Sequence, residues 1–451
     1  MRFRSTRGGP TVDLRTALRE GLAPDGGLYM PTEVPPFPEG FLQALARDPS
    51  PQRTAAAVLV HLLRGGDIPL DRLEALAREA LDFPLPLVRL EDAPPIWMLE
   101  LFHGPTLAFK DVGARVMARL LAAVPGGPAG EGTPLTVLAA TSGDTGGAVA
   151  SAFLGVPGTR VVVLYPAGQV SPRQEAQFTT LGRNTRALRV EGTFDDCQRL
   201  VKEAFSDQGL RERHHLTSAN SINIGRLLPQ VIYHVHARVA LPGPGGTPDL
   251  AHSGDSAGPV VMSVPSGNFG NLAAGLLARR MGLPVDHFLA ATNVNDVVPH
   301  YLETGSYTPR PSRRTLSSAM DVGTPSNLER IQALYGMDVE ALRKDVTGSA
   351  WTDDETRAAI LRLDRERGVL LDPHGAVGLL ALESWMEGRE GEGWRGIVLG
   401  TAHPAKFAEG VEPVVGRTLP LPEALASRMG TPPVFTRIAP RLPELAAALE
   451  D

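Results

Sequence analysis

Short β-rich apolar runs alternate with helical segments from about residue 96 onward, and this alternation limits the fold of the chain more than any other feature. Strands connected through helices are typical of parallel sheets that carry helices on both faces. The sequence therefore predicts an α/β protein, in which ligands bind beyond the carboxyl ends of the strands. The clearest predicted strands are TVLAAT, TRVVVLY, TRALRV, VVMSV, HFLAAT and GIVLG.

The length of 451 residues favours about three domains. Residues 1–90 are helical in pattern and are interrupted by Pro/Gly stretches, so they are expected to form a separate N-terminal module. Residues 91–225 and 226–451 are predicted as two α/β domains. The segment 241–259 is rich in Gly and Pro and is predicted to be a surface loop inserted in the last of these.

Composition excludes several classes of partner. The net charge is −6 and no long basic run occurs, so neither nucleic acid nor an anionic membrane is expected as a partner. No apolar run approaches the ~20 residues of a membrane span, and no secretory signal is visible.

The single cysteine, Cys197, cannot form an internal disulfide, and a cytoplasmic location is therefore expected. The histidines lack a metal-binding spacing, and no metal is expected.

One lysine, Lys110, lies in the apolar run FHGPTLAFKD of residues 102–111. Partial desolvation disfavours its ammonium form, so more of the amine is neutral and able to attack an aldehyde. The alternative is a lysine at a helix start that extends from an apolar patch to solvent.

A glycine-containing turn follows the predicted strand VVMSV and precedes a helix. It consists of Gly267, Asn268, Phe269, Gly270 and Asn271. The backbone N–H groups of such a turn and the positive end of the helix dipole favour a phosphate, although tight turns of this kind also occur without a ligand. A reactive lysine together with a phosphate-binding turn is what pyridoxal phosphate requires, and this cofactor is predicted.

Two further strand ends carry hydroxyl groups. Ser142, Gly143, Asp144 and Thr145 follow the strand TVLAAT and suit a carboxylate. Ser142 or Thr145 is expected to cap the helix and bind as well, and a cap without a ligand is the alternative. Thr401 follows the strand GIVLG and can offer a neutral hydroxyl to a pyridine nitrogen.

Taken in order, FHGPTLAFKD, ATSGDTGGAVA, SANSINIGRLLPQ, VPSGNFGNLAAGLLA, ATNVNDVVP, AMDVGTPSN and GTAHPAKF match one family pattern over nearly the whole chain. The chain resembles the threonine synthases, in their longer bacterial and fungal form. The resemblance implies two parallel-sheet domains of the tryptophan-synthase-β-like (fold type II) architecture with a helical N-terminal module. It also implies conversion of O-phospho-L-homoserine and water to L-threonine and phosphate, with pyridoxal phosphate as cofactor, in a lyase that acts as a monomer or homodimer.

The resemblance assigns roles to the candidate residues. Lys110 corresponds to the catalytic lysine that holds the cofactor, Thr401 to the hydroxyl partner of the pyridine nitrogen, and Asp144 to a residue near the 3′-oxygen of the cofactor. Thr106 is expected to line the substrate pocket, together with Ser142, Gly143 and Thr145.

The substrate phosphate requires a second anion site. Arg226, with Ser221 and Asn223, is the best candidate because a guanidinium can donate two hydrogen bonds to a phosphate. A surface arginine is the alternative. Other readings are another fold type II lyase (a serine or threonine dehydratase, or a phospho-lyase), a non-catalytic relative, and a nicotinamide dehydrogenase, whose glycine spacing is absent.

Overall fold

A computed structural model of the chain describes residues 1–128, 132–243, 250 and 258–450. Residues 244–249 and 251–257 of the predicted surface loop 241–259 lie outside this described part. Within the described residues, no helix combines the length and the apolar character needed to cross a membrane. In the same ranges, no cluster of three or more His, Cys, Asp or Glu side chains is arranged to hold a metal ion.

The N-terminal module contains a small antiparallel sheet in addition to its helices. Its strands have the order β2-β1-β3, and its elements are β1 (Phe3–Ser5), β2 (Gly8–Val12), α1 (Leu14–Glu20), β3 (Tyr29–Pro31), α2 (Phe41–Ala46), α3 (Pro51–Leu63) and α4 (Leu70–Ala80). The sequence predicts the helical character but not the sheet, because strands of three to five residues are too short to show a periodic pattern.

The first large sheet has five parallel strands in the order β14-β8-β7-β6-β9. Its strands are β6 (Leu135–Ala140), β7 (Thr159–Pro166), β8 (Thr185–Val190), β9 (Leu216–Ser218) and β14 (Thr436–Ile438). All six residues of β6 are buried, which explains why this strand appears in the sequence as a run that is apolar except for Thr136. The helices around it are α6 (Asp144–Phe153), α7 (Pro172–Thr179), α8 (Phe194–Ser206), α9 (Gln208–Arg213) and α20 (Leu442–Glu450).

The second large sheet has six strands in the order β12-β11-β10-β13-β5-β4, and only β4 is antiparallel to its neighbour. The strands are β4 (Leu87–Asp92), β5 (Pro95–Glu100), β10 (Val260–Pro265), β11 (His287–Asn293), β12 (Val346–Trp351) and β13 (Arg395–Gly400). The remaining helices are α5 (Lys110–Ala123), α10 (Ile224–Leu227), α11 (Val231–Ala240), α12 (Gly270–Arg280), α13 (Val297–Thr304), α14 (Leu328–Leu334), α15 (Val339–Asp345), α16 (Asp353–Arg367), α17 (Pro373–Met386), α18 (Ala408–Val415) and α19 (Glu423–Met429). The six strands predicted from the sequence are β6, β7, β8, β10, β11 and β13.

The two large sheets are not built from consecutive halves of the chain. β4 and β5 precede the first large sheet in the sequence but pair in the second, and β14 returns from the C-terminal end to the first. The predicted boundary at residue 225 therefore does not separate the strands of one sheet from those of the other. β13 lies between β10 and β5 and is parallel to both, so the carboxyl ends of these three strands lie next to one another.

Candidate active site

A cleft lies at the carboxyl ends of the strands of both large sheets. Segments that follow β5, β6, β10 and β13 contribute to its wall. The sequence-predicted residues that line the cleft are Lys110, Ser142, Asp144, Thr145, Ser221, Arg226, Gly267, Asn268, Phe269, Gly270, Asn271 and Thr401. Residues separated by almost 300 positions are thus brought into one site by strand order.

Lys110 is the first residue of α5, and the segment before it is fixed to the segment after β13. Phe109 N–H donates to the carbonyl oxygen of Thr401 (2.9 Å), and His403 N–H donates to that of Leu107 (3.1 Å). Lys110 Nζ lies 3.4 Å from Asp144 Oδ2. Burial lowers the pKa of Lys110 and outweighs the opposing effect of Asp144, so this amine loses its proton more readily than an exposed lysine does.

Asp144, the first residue of α6, is surrounded by donors. Lys406 Nζ lies 2.7 Å from its Oδ1, and Gln174 Nε2 donates to the same oxygen at 2.9 Å. Burial alone would raise the pKa of Asp144, but Lys406 and then Lys110 outweigh it and hold the pKa well below its usual range. The carboxylate therefore stays charged in the cleft.

The turn before α6 is held by a residue that the sequence analysis did not select. The hydroxyl of Thr141 accepts hydrogen bonds from the N–H groups of Gly143 (2.9 Å) and Gly146 (2.8 Å). Neither Ser142 nor Thr145 caps the helix, because Gly143 occupies the N-cap position and has no side chain. Ser142 and Thr145 line the cleft with hydroxyls that the cap does not use, whereas Gly143 does not line it.

The turn 267–271 connects β10 to α12. Phe269 adopts a left-handed backbone conformation (φ 60°), which brings the chain into the first turn of the helix. Gly267 lies so close to a neighbouring segment that a Cβ would come within 2.7 Å of Ala319 O and 2.9 Å of Met320 Cα. Asn327 N–H donates to the carbonyl oxygen of Asn268 (3.1 Å). The turn is therefore held rigidly from one side while the other side faces the cleft.

Asn271, the last residue of this turn, supplies a donor without a partner in the described part of the chain. Its Oδ1 accepts from Tyr233 OH (2.8 Å) and from His234 Nε2 (3.0 Å). Its buried Nδ2 has no hydrogen-bond partner within the described residues. A buried donor without a partner is unfavourable, so an anion bound at the N-terminus of α12 would satisfy it.

Arg226 supplies a second buried donor without a partner among the described residues, and this donor is cationic. Its Nη1 donates to the carbonyl oxygen of Ala219 (2.6 Å), while its buried Nε has no partner among the described residues. Burial lowers the pKa of Arg226 to about 10, partly offset by Asp111, so the side chain remains charged at neutral pH. Ser221 lies in the same wall of the cleft.

Besides Gly143, two more of the predicted substrate-binding residues, Asn223 and Thr106, do not reach the cleft wall. The amide of Asn223 is fully used: Nδ2 donates to the carbonyl oxygens of Leu18 (2.9 Å) and Ser218 (2.8 Å), and Oδ1 accepts from Gly225 N–H. It caps α10, so its signal in the sequence was that of a helix cap. Thr106 likewise bonds to Asp111 through both its hydroxyl (2.6 Å) and its N–H (2.8 Å), which fixes the start of α5.

Thr401 follows β13 directly and is buried at the cleft wall. Its carbonyl oxygen accepts from Phe109 N–H, next to Lys110. The chain therefore presents Thr401 and Lys110 from two neighbouring segments of the same cleft.

Asp321 and His374 also line the cleft and were not selected from the sequence. His374 Nδ1 lies 2.6 Å from Asp372 Oδ2, and His374 Nε2 accepts from Ala319 N–H (3.2 Å). Asp372 caps α17. Asp321 lies in the motif AMDVGTPSN, but nothing in that motif alone indicates that its carboxylate faces a ligand-binding cleft.

Three family models match the chain and together span nearly all of it. The model described as "Pyridoxal-phosphate dependent enzyme" matches residues 79–400. "Threonine synthase N terminus" matches residues 2–81, and "Threonine synthase, C-terminal" matches residues 375–448.

Individual proteins agree with these models. The threonine synthase of Serratia marcescens is 44% identical over 421 residues, which are 93% of this chain and 92% of that protein. The crystal structure of threonine synthase from Escherichia coli has a TM-score of 0.88 and 41% identity, and covers 100% of this chain and 99% of its own. The structure of PLP-bound threonine synthase from Brucella melitensis has a TM-score of 0.87 and 37% identity, with coverage of 100% and 98%. Together with the three matching models, these similarities mean that the chain belongs to the threonine synthase family.

Proposed function

We propose that this cleft carries out the threonine synthase reaction, in which O-phospho-L-homoserine and water give L-threonine and phosphate. The observation that carries the proposal is the combination of Lys110 on the cleft wall with two separate groups that can bind an anion. Asn271 Nδ2 and Arg226 Nε are both buried and lack partners in the described part of the chain. A cofactor phosphate and a substrate phosphate repel each other, so each requires its own donors.

The residues of the cleft fit pyridoxal phosphate. When bound, the cofactor supplies an electron sink for the carbanions that form beside the amine-bearing carbon of the substrate. Gly267, Asn268, Phe269, Gly270 and Asn271 would hold its phosphate through backbone N–H groups, the N-terminus of α12 and the free Asn271 amide.

The ring and the aldehyde of the cofactor require other residues. Lys110 would hold the aldehyde carbon, Thr401 the pyridine nitrogen, and Asp144 would lie near the 3′-oxygen. Their common position on the cleft wall supports this assignment. The carboxylate of Asp144 could lie beside the 3′-oxygen of the cofactor because the ammonium of Lys406 balances the negative charge of Asp144.

Lys110 is the residue that moves protons. Because its pKa is lowered, the neutral amine can accept a proton from the Cα of the substrate, and the ammonium that forms can donate a proton elsewhere on the substrate. The same group can remove a proton from Cβ and return one to it. Asp144 Oδ2, at 3.4 Å, stabilises that ammonium while it carries the proton.

The substrate is oriented from both of its ends. Arg226 and Ser221 would bind the substrate phosphate, and the hydroxyls of Ser142 and Thr145 would bind its carboxylate. Asn223, Thr106 and Thr141 act on these groups indirectly, because their hydrogen bonds fix α10, α5 and the turn before α6.

The test is to supply O-phospho-L-homoserine to the cofactor-loaded protein and to measure phosphate and threonine together. Equal amounts are expected. Phosphate without threonine would indicate a phospho-lyase and contradict the proposal. The Lys110→Ala variant should lose the visible absorbance of the bound cofactor and several orders of magnitude of turnover, whereas Lys202→Ala, which changes an exposed lysine of α8, should retain both.

We also infer a cytoplasmic location and a monomeric or homodimeric state. The location is supported by the single cysteine, Cys197, which is buried and whose thiol pKa is raised to about 12 by burial. Cell fractionation and light scattering of the purified protein test these two inferences.

A further inference from the structure

The chain contains four lysines, and two of them meet at one carboxylate. Lys110 and Lys406 both contact Asp144. Lys406 lies in the short 3-10 helix Pro404–Phe407 and is completely buried. A buried ammonium is unfavourable unless it is paired and hydrogen-bonded. Its Nζ lies 2.7 Å from Asp144 Oδ1 and donates to the carbonyl oxygen of Thr106 (2.7 Å), so its position is fixed.

The two lysines do not share Asp144 equally. Lys406 and Gln174 contact Oδ1 at 2.7 and 2.9 Å, whereas Lys110 lies 3.4 Å from Oδ2. Because the attraction between charges falls with distance, Lys406 is the stronger partner of the carboxylate. Lys110 is therefore the lysine of this pair that can lose its proton without leaving Asp144 unpaired.

We propose that Lys406 is a positioning residue for the reaction, which acts as the counter-ion of Asp144 and thereby allows Lys110 to present a neutral amine. The inference rests on the proposed function, in which Lys110 reacts with an aldehyde and accepts a proton. It assigns a role to a buried cation that does not itself reach the cleft wall.

The charged groups around the pair agree with this role. Lys110 faces Asp144 from α6, Lys406 from the 3-10 helix and Arg226 from α10, and Asp144 also faces His374 from α17. Lys406 in addition faces Asp111 from α5 and His403 at the start of its own helix. Removing Lys406 alters the surroundings of Lys110 in two ways, and both make Lys110 hold its proton more strongly. Lys110 loses the repulsion of a nearby cation, and Asp144 is left with Lys110 as its nearest cation. Both changes favour the ammonium form of Lys110.

The experiment compares Lys406→Met with the wild-type full-length protein after removal of the cofactor. The rate of uptake of pyridoxal phosphate is followed by visible absorbance over a range of pH. The amine lone pair attacks the aldehyde carbon and the carbonyl oxygen leaves as water, so only the neutral amine reacts. The midpoint of the pH profile should rise by about one unit or more, which lowers the rate about tenfold below the midpoint. Lys202→Met should leave the midpoint unchanged.

A double variant separates this role from a purely structural one. In Lys406→Met/Asp144→Asn, the carboxylate that contacts Lys110 is also removed, so the midpoint should return to or below the wild-type value. An unchanged midpoint in Lys406→Met, or a raised midpoint that persists in the double variant, would overturn the proposal. If Lys406→Met does not fold, the double variant alone is compared with the wild type, and a midpoint above the wild-type value would overturn the proposal. Product formation by the wild-type protein tests the proposed function separately, so the two failures are distinguishable.

Discussion

The guanidinium of Arg330 donates a 2.9 Å hydrogen bond to the carbonyl oxygen of Ser221. The same completely buried side chain donates to Asn327 Oδ1 (2.6 Å) and to the carbonyl oxygen of Tyr29 in the N-terminal module (3.2 Å). Asn327 in turn bonds to the carbonyl oxygen of Asn268. One arginine therefore links the two proposed phosphate-binding segments to each other and to the N-terminal module.

Replacing Arg330 by Met should destabilise the protein and impair both segments. The carbonyl oxygens of Ser221 and Ile222 would lose their buried donor, and we expect the free energy of unfolding to fall by about 3 kcal/mol or more. The affinities for pyridoxal phosphate and for the substrate should both decrease. Urea unfolding and ligand titrations measure these changes, with Arg211→Met, at an exposed position of α9, as control. A loss in only one of the two affinities would contradict the linkage.

Arg226→Ala should impair substrate capture while leaving cofactor binding intact. A lost charge-assisted contact to phosphate corresponds to about 2–4 kcal/mol, or roughly a 30- to 1000-fold lower kcat/KM. Steady-state kinetics with O-phospho-L-homoserine and a cofactor titration measure the two effects. A variant that loses the cofactor but keeps its substrate affinity would show that Arg226 binds the cofactor phosphate and not the substrate phosphate.

Gly267→Ala should have the opposite effect. The new Cβ would lie 2.7 Å from Ala319 O, a backbone atom that cannot rotate away, so the turn must shift. We expect the Kd for pyridoxal phosphate to rise about tenfold or more because the backbone N–H groups of the turn are displaced. Gly391→Ala is the matched control, since a Cβ there would meet nothing within 4 Å. Equal cofactor affinities in the two variants would contradict the assignment of the turn.

Asp321 should make stability depend on pH. Burial raises the pKa of Asp321 from 3.8 to about 6, against hydrogen bonds from Thr315 and Asn293. Between these values the folded protein binds more protons than the unfolded chain, so the stabilisation present below pH ~4 is lost as the pH rises through ~6. Asp321→Asn does not titrate. The free energy of unfolding of Asp321→Asn minus that of the wild type should therefore be larger at pH 7 than at pH 4, by at most about 3 kcal/mol.

Urea unfolding at several pH values measures this difference for Asp321→Asn. Asp354→Asn serves as control, because the side chain of Asp354 is 95% exposed. A difference between Asp321→Asn and the wild type that does not vary with pH would rule out the raised pKa.

Local pattern was sufficient to locate one half of the cleft. The turn 267–271 lies where a predicted strand meets a helix, and Lys110 lies in the apolar run of residues 102–111, so each pattern is visible within about twenty residues of sequence. The strand order places their ends together. The sheet of the N-terminal module was missed because strands as short as β1 and β3 leave no comparable pattern.

The other half depends on contacts between distant positions. Lys406 and Asp144 are far apart in the chain, and nothing near either residue indicates their pairing. A signal did exist, since PAKF places Lys406 among apolar neighbours as LAFK does Lys110. Asn223 illustrates the reverse case, because an asparagine at the start of a helix looks the same in the sequence whether it caps the helix or binds a ligand.

The position of β13 between β10 and β5 has a consequence for the order in which the protein can form during its synthesis. β5 ends at Glu100, but the parallel strand beside it begins only at Arg395. Lys110, the turn 267–271 and most strands of both sheets are therefore synthesised before β13, the strand that connects β5 to β10. Such late pairing of distant strands is slow and exposes unpaired edges. We expect nascent chains that stop before residue 395 to need chaperone protection, and two fragments divided at residue 225 to remain inactive until they are combined.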